Sequence, residues 1–367
     1  MISRLTRAIG RDESWPSLGP VTEASEEHVE WAAVLHGLVR GEDMTRDQAR
    51  YVVSSVLAGE ASDAQIAGFL VAMASKGEST EEILGMRDAM FDVSLPLPLP
   101  ADAIDIVGVG GAPRRRVAAF NVSTIASIVA AAAGAVVCKH GNRRASSTSG
   151  SFDLLEALGV NIEIGPDVVA SGVESIGLGF AFARAYHPSM RHVGPTRAEL
   201  GIPTVFNVLG PLAHPGRLTR QMVGVPDARR AEQIAGVVQD ARVDLVWVVH
   251  GHDDLDELAT SGPSEVIEIR GGTRRRFTVH PGEVGLDVVQ QDAVQGGDAA
   301  TNAALARSVL AGEAGPNRDV VVLNAGAGLV VASLVDELAD GVALAQAAID
   351  DGRAAAKLDQ LVEHTNG

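Results

Sequence analysis

Two hydrophobic rhythms divide the chain. Trp31, Val34, Leu35 and Leu38 recur at threes and fours, and so do Tyr51, Val52 and Val56, then Ile66, Phe69, Leu70 and Met73, then Ile83, Met86 and Met90. That spacing places the apolar side chains on one stripe of an α-helix. Thr45, Ser62 and Ser79 stand just ahead of the last three runs, where a side-chain oxygen can cap the first turn. The pattern predicts a small helical bundle over residues 28–100, with its methionines in the core. Residues 1–27 show no period and read as an N-terminal extension without assigned chemistry. Ser94 to Pro100, with proline at alternate positions, reads as a stiff extended linker and a domain boundary.

Beyond residue 100 the rhythm changes to short apolar runs alternating with helical stretches. Strands are predicted at Ala103 to Val107, Val136 to Lys139, Gly179 to Ala183 and Asp244 to His250, with helices such as Asp153 to Leu158 and Ala228 to Gln239 between them. Ser264 to Arg270 and Arg274 to His280 predict a hairpin about Gly271-Gly272. The fold class is therefore α/β: a small N-terminal helical domain followed by a larger α/β domain, 101–367, with a mainly parallel central sheet. Residues 186–216, rich in proline and glycine, predict one short helix from Thr196 and a crossing between domains, so part of this segment is expected to join the helical domain. The run LNAGAGL at 323–329 lacks basic flanks and reads as close helix packing. Ligands of such sheets bind beyond the carboxyl ends of the strands.

Charge narrows the partners. The 367 residues carry 30 basic and 47 acidic side chains, a formal net charge of −17, which opposes binding to nucleic acid and to acidic membrane surfaces. A single cysteine, Cys138, excludes an internal disulfide framework and a cysteine zinc cluster, and its place in an apolar run marks it as a core residue. No apolar leader region or membrane-length run is evident, so a cytoplasmic location is expected.

Candidate chemistry concentrates between Asp105 and Ser151. DIVGVGG reads as a buried strand followed by glycines that let a ligand approach the backbone. Asn121, Ser123 and Thr124 precede an apolar run from Ile125, at the positive end of a helix dipole. Lys139, His140, Asn142, Arg143 and Arg144 then bring cationic and amide donors, and Ser146, Ser147, Thr148, Ser149 and Ser151 add hydroxyls. The sum is a cradle for phosphate or diphosphate. Pro113 breaks the dinucleotide-binding glycine fingerprint, and no P-loop signature is present.

The segments DIVGVGG, FNVST, KHGNR, SGSFDLLEALGV, HPSMRHVGPTRAELG, FNVLGPL and HGHDDLDEL occur in the order found in anthranilate phosphoribosyltransferases. From about Leu35 almost to the end, the chain resembles that family. It departs in the glycine loop, where Val109 replaces a threonine, Ala112 replaces an acidic residue, and a short insertion includes Arg114, Arg115 and Arg116. The resemblance implies the nucleoside phosphorylase/phosphoribosyltransferase architecture, with a homodimer formed through the helical domain. It assigns binding of 5-phosphoribosyl 1-diphosphate (PRPP) to Gly108, Gly111, Ala112, Asn121, Ser123, Thr124, Lys139, Ser147 and Ser151. It places an anthranilate acceptor at Gly108, His140, Asn142 and Arg197, with Gly141 completing that wall. Ser123, Asp256 and Glu257 would hold Mg²⁺, a pair of ions being implied.

The expected reaction is Mg²⁺-dependent transfer of the 5-phosphoribosyl group from PRPP to the amine of anthranilate, a step of tryptophan biosynthesis. No certain catalytic acid or base is expected, because an arylamine is already neutral at pH 7 and positioning with preorganised charge can carry the reaction. The altered glycine loop leaves other readings open: a paralogue with a different aromatic acceptor, an enzyme like the pyrimidine nucleoside phosphorylases, or a non-catalytic binder of phosphoribosyl compounds.

Overall fold

The computed structural model describes residues 30–110, 119–143, 148–241 and 243–367. The predicted N-terminal extension, Gly111, Ala112, Arg114 to Arg116, Arg144, Ser146 and Ser147 lie outside the described residues.

Four helices open the described chain: α1 (Trp31–Val39), α2 (Arg46–Ala58), α3 (Asp63–Lys76) and α4 (Thr80–Val93). Thr45, Ser62 and Ser79 cap the last three, each accepting the backbone N–H three residues on, while Gln48, Gln65 and Glu82 return the bond to the capping residue. The apolar stripes bury Phe69, Leu70, Met73 and Met86 completely, each worth about 1.5–3 kcal/mol relative to exposure. Glu82 is fully buried yet bound, taking Lys76 Nζ at 2.8 Å and the amides of Met44 and Ser79. The expected linker is extended but not free. Leu95 and Leu97 donate their amides to the carbonyls of Tyr186 and Pro215, and Leu97 is buried beside Cys138 and Val173.

The remaining chain builds one seven-stranded sheet from β1 (Ile104–Gly108), β2 (Val137–Gly141), β3 (Leu178–Phe182), β4 (Arg220–Gly224), β5 (Leu245–His250), β6 (Ser264–Arg270) and β7 (Thr273–Val279). Their spatial order is β3-β2-β1-β4-β5-β6-β7. The first five are parallel, and the β6–β7 hairpin adds an antiparallel edge. Between them run α5 (Val122–Ala132), α6 (Ser151–Ala157), α7 (Pro166–Ile176), α8 (Ala183–Tyr186), α9 (Gly194–Leu200), α10 (Val205–Leu212) and α11 (Ala228–Asp240). The chain ends with α12 (Ala299–Leu310), α13 (Pro316–Val331), α14 (Leu338–Asp350) and α15 (Arg353–Asn366). Among the described residues no helix is long and apolar enough to cross a membrane.

Both faces of the sheet are covered, so apolar side chains of the central strands are buried on either side, and the polar ones among them, Asp105, Lys139 and Gln221, are buried as well. Ile104, Ile106, Leu245 and Trp247 face a core shared with α5 and α13 to α15. Val107, Val223, Val246 and Val248 face a second core shared with α2 to α4, α10 and α11. The LNAGAGL run lies in α13, where a side chain at Gly326 would stand 2.7 Å from the backbone nitrogen of Val342 in α14, so close packing accounts for it.

The chain leaves β1 in one direction to build β2 and β3, then returns to place β4 on the other side of β1. Strand order reverses there, so the carboxyl ends of β1 and β4 open a crevice between diverging connections.

Candidate active site

A cleft of about 730 Å³ occupies that crevice, a size suited to a small-molecule site. Of the residues expected at a site, Gly108, Asn121, Ser123, Thr124, Lys139, His140, Asn142, Ser151, Arg197, Asp256 and Glu257 all line it. Segments separated by more than a hundred positions meet because each follows the end of a strand or begins a helix.

One wall joins the glycine loop to the acidic turn after β5. Gly110 donates its amide to Asp256 Oδ2 at 2.8 Å. The turn is pressed onto the sheet: an added Cβ at Gly108 would lie 2.4 Å from Asp256 Oδ2, and one at Gly224 would lie 1.8 Å from the Asp256 carbonyl oxygen. Only glycine at the ends of β1 and β4 admits this approach. On its far side the turn is held by Asn324, wholly buried in α13, which donates to the carbonyl of Leu258 and accepts its amide at 2.9 and 3.0 Å.

The N-terminus of α5 forms a second wall. Its first turn carries no acidic side chain of its own, and the positive end of the helix faces the cleft. Asn121 holds the N-cap position but makes no cap bond. Its amide instead reaches the carbonyl of Ser149, and its oxygen accepts from Ser149 Oγ and from Asn302 Nδ2 at 3.1 and 2.8 Å. Asn302, buried in α12, also donates to the Ala119 carbonyl. The two asparagines thereby fasten Ser149 to the helix start. Neither Asn302 nor Asn324 carries a sequence signal that separates it from an ordinary helix residue.

Lys139 and His140 end β2. Lys139 is almost fully buried and donates Nζ to the Ile106 carbonyl at 2.7 Å. Burial lowers its pKa, while Asp105 and Asp256 act in the opposite sense. His140 places Nδ1 3.1 Å from the carbonyl of Gly210, which sets the proton on Nδ1. Burial pushes its pKa well down, and the rings of His187 and His214, centred 5.4 and 5.5 Å away, add to that effect. The carbonyl of Asn142 accepts Ser151 Oγ at 3.1 Å, tying the end of β2 to α6. Arg143 is turned outward, to Glu156 at 2.8 Å.

Arg197, half-buried in α9, completes the cleft. Nε donates to Thr204 Oγ1 at 3.1 Å, Nη2 donates to Asn207 Oδ1 at 3.2 Å, and Cζ lies 5.4 Å from the centre of the Phe206 ring. Burial lowers its pKa, yet a guanidinium remains charged at neutral pH. An acidic chain thus keeps Lys139, Arg197 and a helix N-terminus at one hollow.

Among the described residues no cluster of three or more His, Cys, Asp and Glu side chains is arranged to hold a metal. The cleft offers two carboxylates and the hydroxyl of Ser123. That sparse, all-oxygen set fits Mg²⁺, which keeps waters and takes substrate phosphate oxygens, and does not fit a closed zinc or calcium site.

Residues 32–94 match the glycosyl transferase family helical bundle domain, and residues 100–355 match the glycosyl transferase family a/b domain. The anthranilate phosphoribosyltransferase of Parvibaculum lavamentivorans is 44% identical over 338 residues, covering 92% of this chain and 98% of its own. The crystal structure of anthranilate phosphoribosyltransferase from Thermus thermophilus is 40% identical, with a TM-score of 0.83 over 91% of this chain and 99% of that one. The Saccharomyces cerevisiae enzyme is 25% identical; its complex with PRPP and Mg gives a TM-score of 0.83 over 92% of this chain and 98% of that one. Its complex with 4-fluoroanthranilate gives 0.80 over 92% and 99%. By sequence along nearly its whole described length, and by the fold that sequence builds, the chain belongs to the anthranilate phosphoribosyltransferase family of glycosyltransferase enzymes.

Proposed function

We propose that the chain transfers the 5-phosphoribosyl group of PRPP to the amine of anthranilate and releases diphosphate, a step of tryptophan biosynthesis. The observation that carries this reading is the shared cleft, in which Lys139, the N-terminus of α5 and Asp256-Glu257 lie together with Arg197. The first group suits a phosphorylated donor and the last suits a carboxylated acceptor. The relatives' names and the ligands in the yeast structures support the same pairing.

In this reading Gly108, Asn121, Ser123, Thr124, Lys139 and Ser151 hold PRPP, together with Gly111, Ala112 and Ser147 outside the described residues. Gly108, His140, Asn142 and Arg197 receive anthranilate. Asp256, Glu257 and Ser123 hold Mg²⁺, a pair of ions in the full reading, which when bound neutralises charge on the departing diphosphate. The chain's own part is positioning. The α5 amides and Lys139 direct donors at phosphate oxygens, the buried cleft strengthens those bonds, and Arg197 fixes the aromatic ring so that its neutral amine faces the anomeric carbon. The C–O bond to diphosphate breaks with its electron pair leaving on oxygen, the amine lone pair forms the new C–N bond, and the extra N–H proton of the cationic amine so formed passes to the released diphosphate or to water. His140, neutral with its proton on Nδ1, adds no positive charge beside a developing oxocarbenium centre.

Residues 28–100 with part of 186–216, and 101–367, are proposed as the two domains, and exposed apolar side chains such as Val39 and Val71 on the bundle support a homodimer. A cytoplasmic location accords with the lone buried thiol.

The test is loss of anthranilate fluorescence with purified protein, PRPP and Mg²⁺. Turnover that disappears in Asp256→Ala and Glu257→Ala is expected. Diphosphate release in step with a different arylamine, and none with anthranilate, would overturn the acceptor assignment.

A further inference from the structure

Arg197 is held by the start of the helix that follows it. Gly201, in the left-handed region at φ 62°, ends α9 and turns the chain so that α10 begins beside the guanidinium. Thr204 stands at the N-cap of α10 and is almost fully buried; Asn207 is its third helical residue. Asn207 Oδ1 accepts the Thr204 amide at 3.0 Å as well as Arg197 Nη2 at 3.2 Å, and Thr204 Oγ1 accepts Nε at 3.1 Å. One capping arrangement therefore serves both the helix start and the arginine.

A guanidinium offers a carboxylate two adjacent edges for forked binding, the side-on edge of Nε with Nη2 and the end-on edge of Nη1 with Nη2. Thr204 and Asn207 occupy the side-on edge. The Phe206 ring beside Cζ and the bond at Nε oppose rotation of the plane. We infer that Thr204 and Asn207 are positioning residues that leave only the end-on edge of Arg197 for the acceptor, and so select planar arylamines whose carboxylate and amine stand at one fixed separation. This deepens the proposed function and rests on its assignment of Arg197 to the acceptor.

The test compares Thr204→Val, Thr204→Ser and Asn207→Asp in the full chain, with anthranilate and with aniline, which lacks the carboxylate. Thr204→Val keeps the shape and loses the acceptor for Nε, so the KM for anthranilate rises about tenfold while the KM for PRPP holds within about twofold. Thr204→Ser returns the anthranilate KM to the wild-type value. Asn207→Asp keeps an acceptor for the Thr204 amide but gives the guanidinium an internal carboxylate, and weakens anthranilate by about a hundredfold. Turnover of aniline is the same in all four proteins. Equal increases in both KM values for Thr204→Val, or failure of Thr204→Ser to restore, would reduce the pair to packing and overturn the inference alone. A wild-type protein that uses aniline as well as anthranilate would overturn the acceptor reading beneath it.

Discussion

The Asp256 carboxylate accepts the amide of Gly110 at 2.8 Å, across 146 positions of sequence. One side chain thereby ties the glycine loop to the proposed metal site. Its two roles separate in Asp256→Asn, whose amide oxygen can still accept from Gly110 but whose charge is gone. The expected result is an unfolding free energy within about 0.5 kcal/mol of wild type and a fall in kcat/KM of at least about a hundredfold, with more Mg²⁺ needed for half-maximal rate. Denaturant unfolding and a Mg²⁺ titration of the rate read the two quantities. A variant that loses stability and activity together would make the residue mainly structural.

Asn324 supports the same turn from behind. Its side chain satisfies both backbone groups of buried Leu258, next to Glu257, and also donates to the Val320 carbonyl. Asn324→Leu fills the space but strands an amide and a carbonyl in the core, at a cost of about 2–4 kcal/mol. The loss should appear as a lower midpoint in urea. If the variant still folds, its Mg²⁺ requirement rises while the KM for anthranilate holds, because Arg197 is braced by α10 instead.

These supports mark the limit of what the sequence discloses. The helices of the bundle are legible because Thr45, Ser62 and Ser79 announce their starts and the apolar stripes repeat. β1, β2, β3, β5 and the β6–β7 hairpin are legible as apolar or alternating runs. β4, central to the sheet, is not: RQMVG is five residues long, begins with two polar residues and has no alternation to distinguish it. Its Gln221 is buried only because Nε2 finds the Pro211 carbonyl at 3.1 Å, a partner no local pattern indicates. The segment 186–216 reads as holding one short helix, and α10 escapes that reading because Pro211 and Gly210 lie inside it. Chemistry-bearing side chains that follow strands are recognisable as a set. The asparagines and Thr204 that hold them act through tertiary contacts, which composition and spacing do not record.

Strain precedes the acidic turn. Asp253 and Asp254 both adopt left-handed backbone, at φ 61° and 58°, a region that costs side-chain-bearing residues about 1 kcal/mol or more. Asp254 is exposed and its carboxylate lies 4.0 Å from His250 Nε2, a contact that solvent screens. Asp254→Gly should therefore keep or raise stability by about 0.5–1 kcal/mol, and Asp254→Val should lower it by about 1–2 kcal/mol. Paired urea curves decide the matter. Equal destabilisation by both substitutions would mean that the aspartate's contacts, not its backbone, set the turn.

A buried titratable layer beneath the cleft gives the fold a pH optimum. Burial pushes His187 and His214 down to about 4, with a backbone bond opposing in each case. Their unfolded value is about 6.5, so between these limits the unfolded chain binds more protons. The stability tied to the two imidazoles is whole above about pH 6.5 and is lost as pH falls toward 4, up to about 3 kcal/mol for each. Asp105 runs the other way. Burial raises its carboxyl to about 7, with Lys139 opposing, while the unfolded value is about 3.9. The folded chain then binds the extra proton, and that contribution drains as pH rises from about 4 to 7. With His140, which burial also pushes down, the imidazoles outweigh one carboxyl on the acid side, and Asp105 goes on titrating as the imidazole linkage runs out, so stability should peak near about pH 7. His214→Gln, which can still donate to the Cys138 carbonyl that His214 Nε2 reaches at 2.9 Å, should flatten the acid limb. Asp105→Asn should remove the opposing loss between about pH 6 and 7.5. Urea unfolding from pH 4.5 to 8 measures both slopes, and variants whose curves run parallel to wild type throughout would show that neither group carries the linkage.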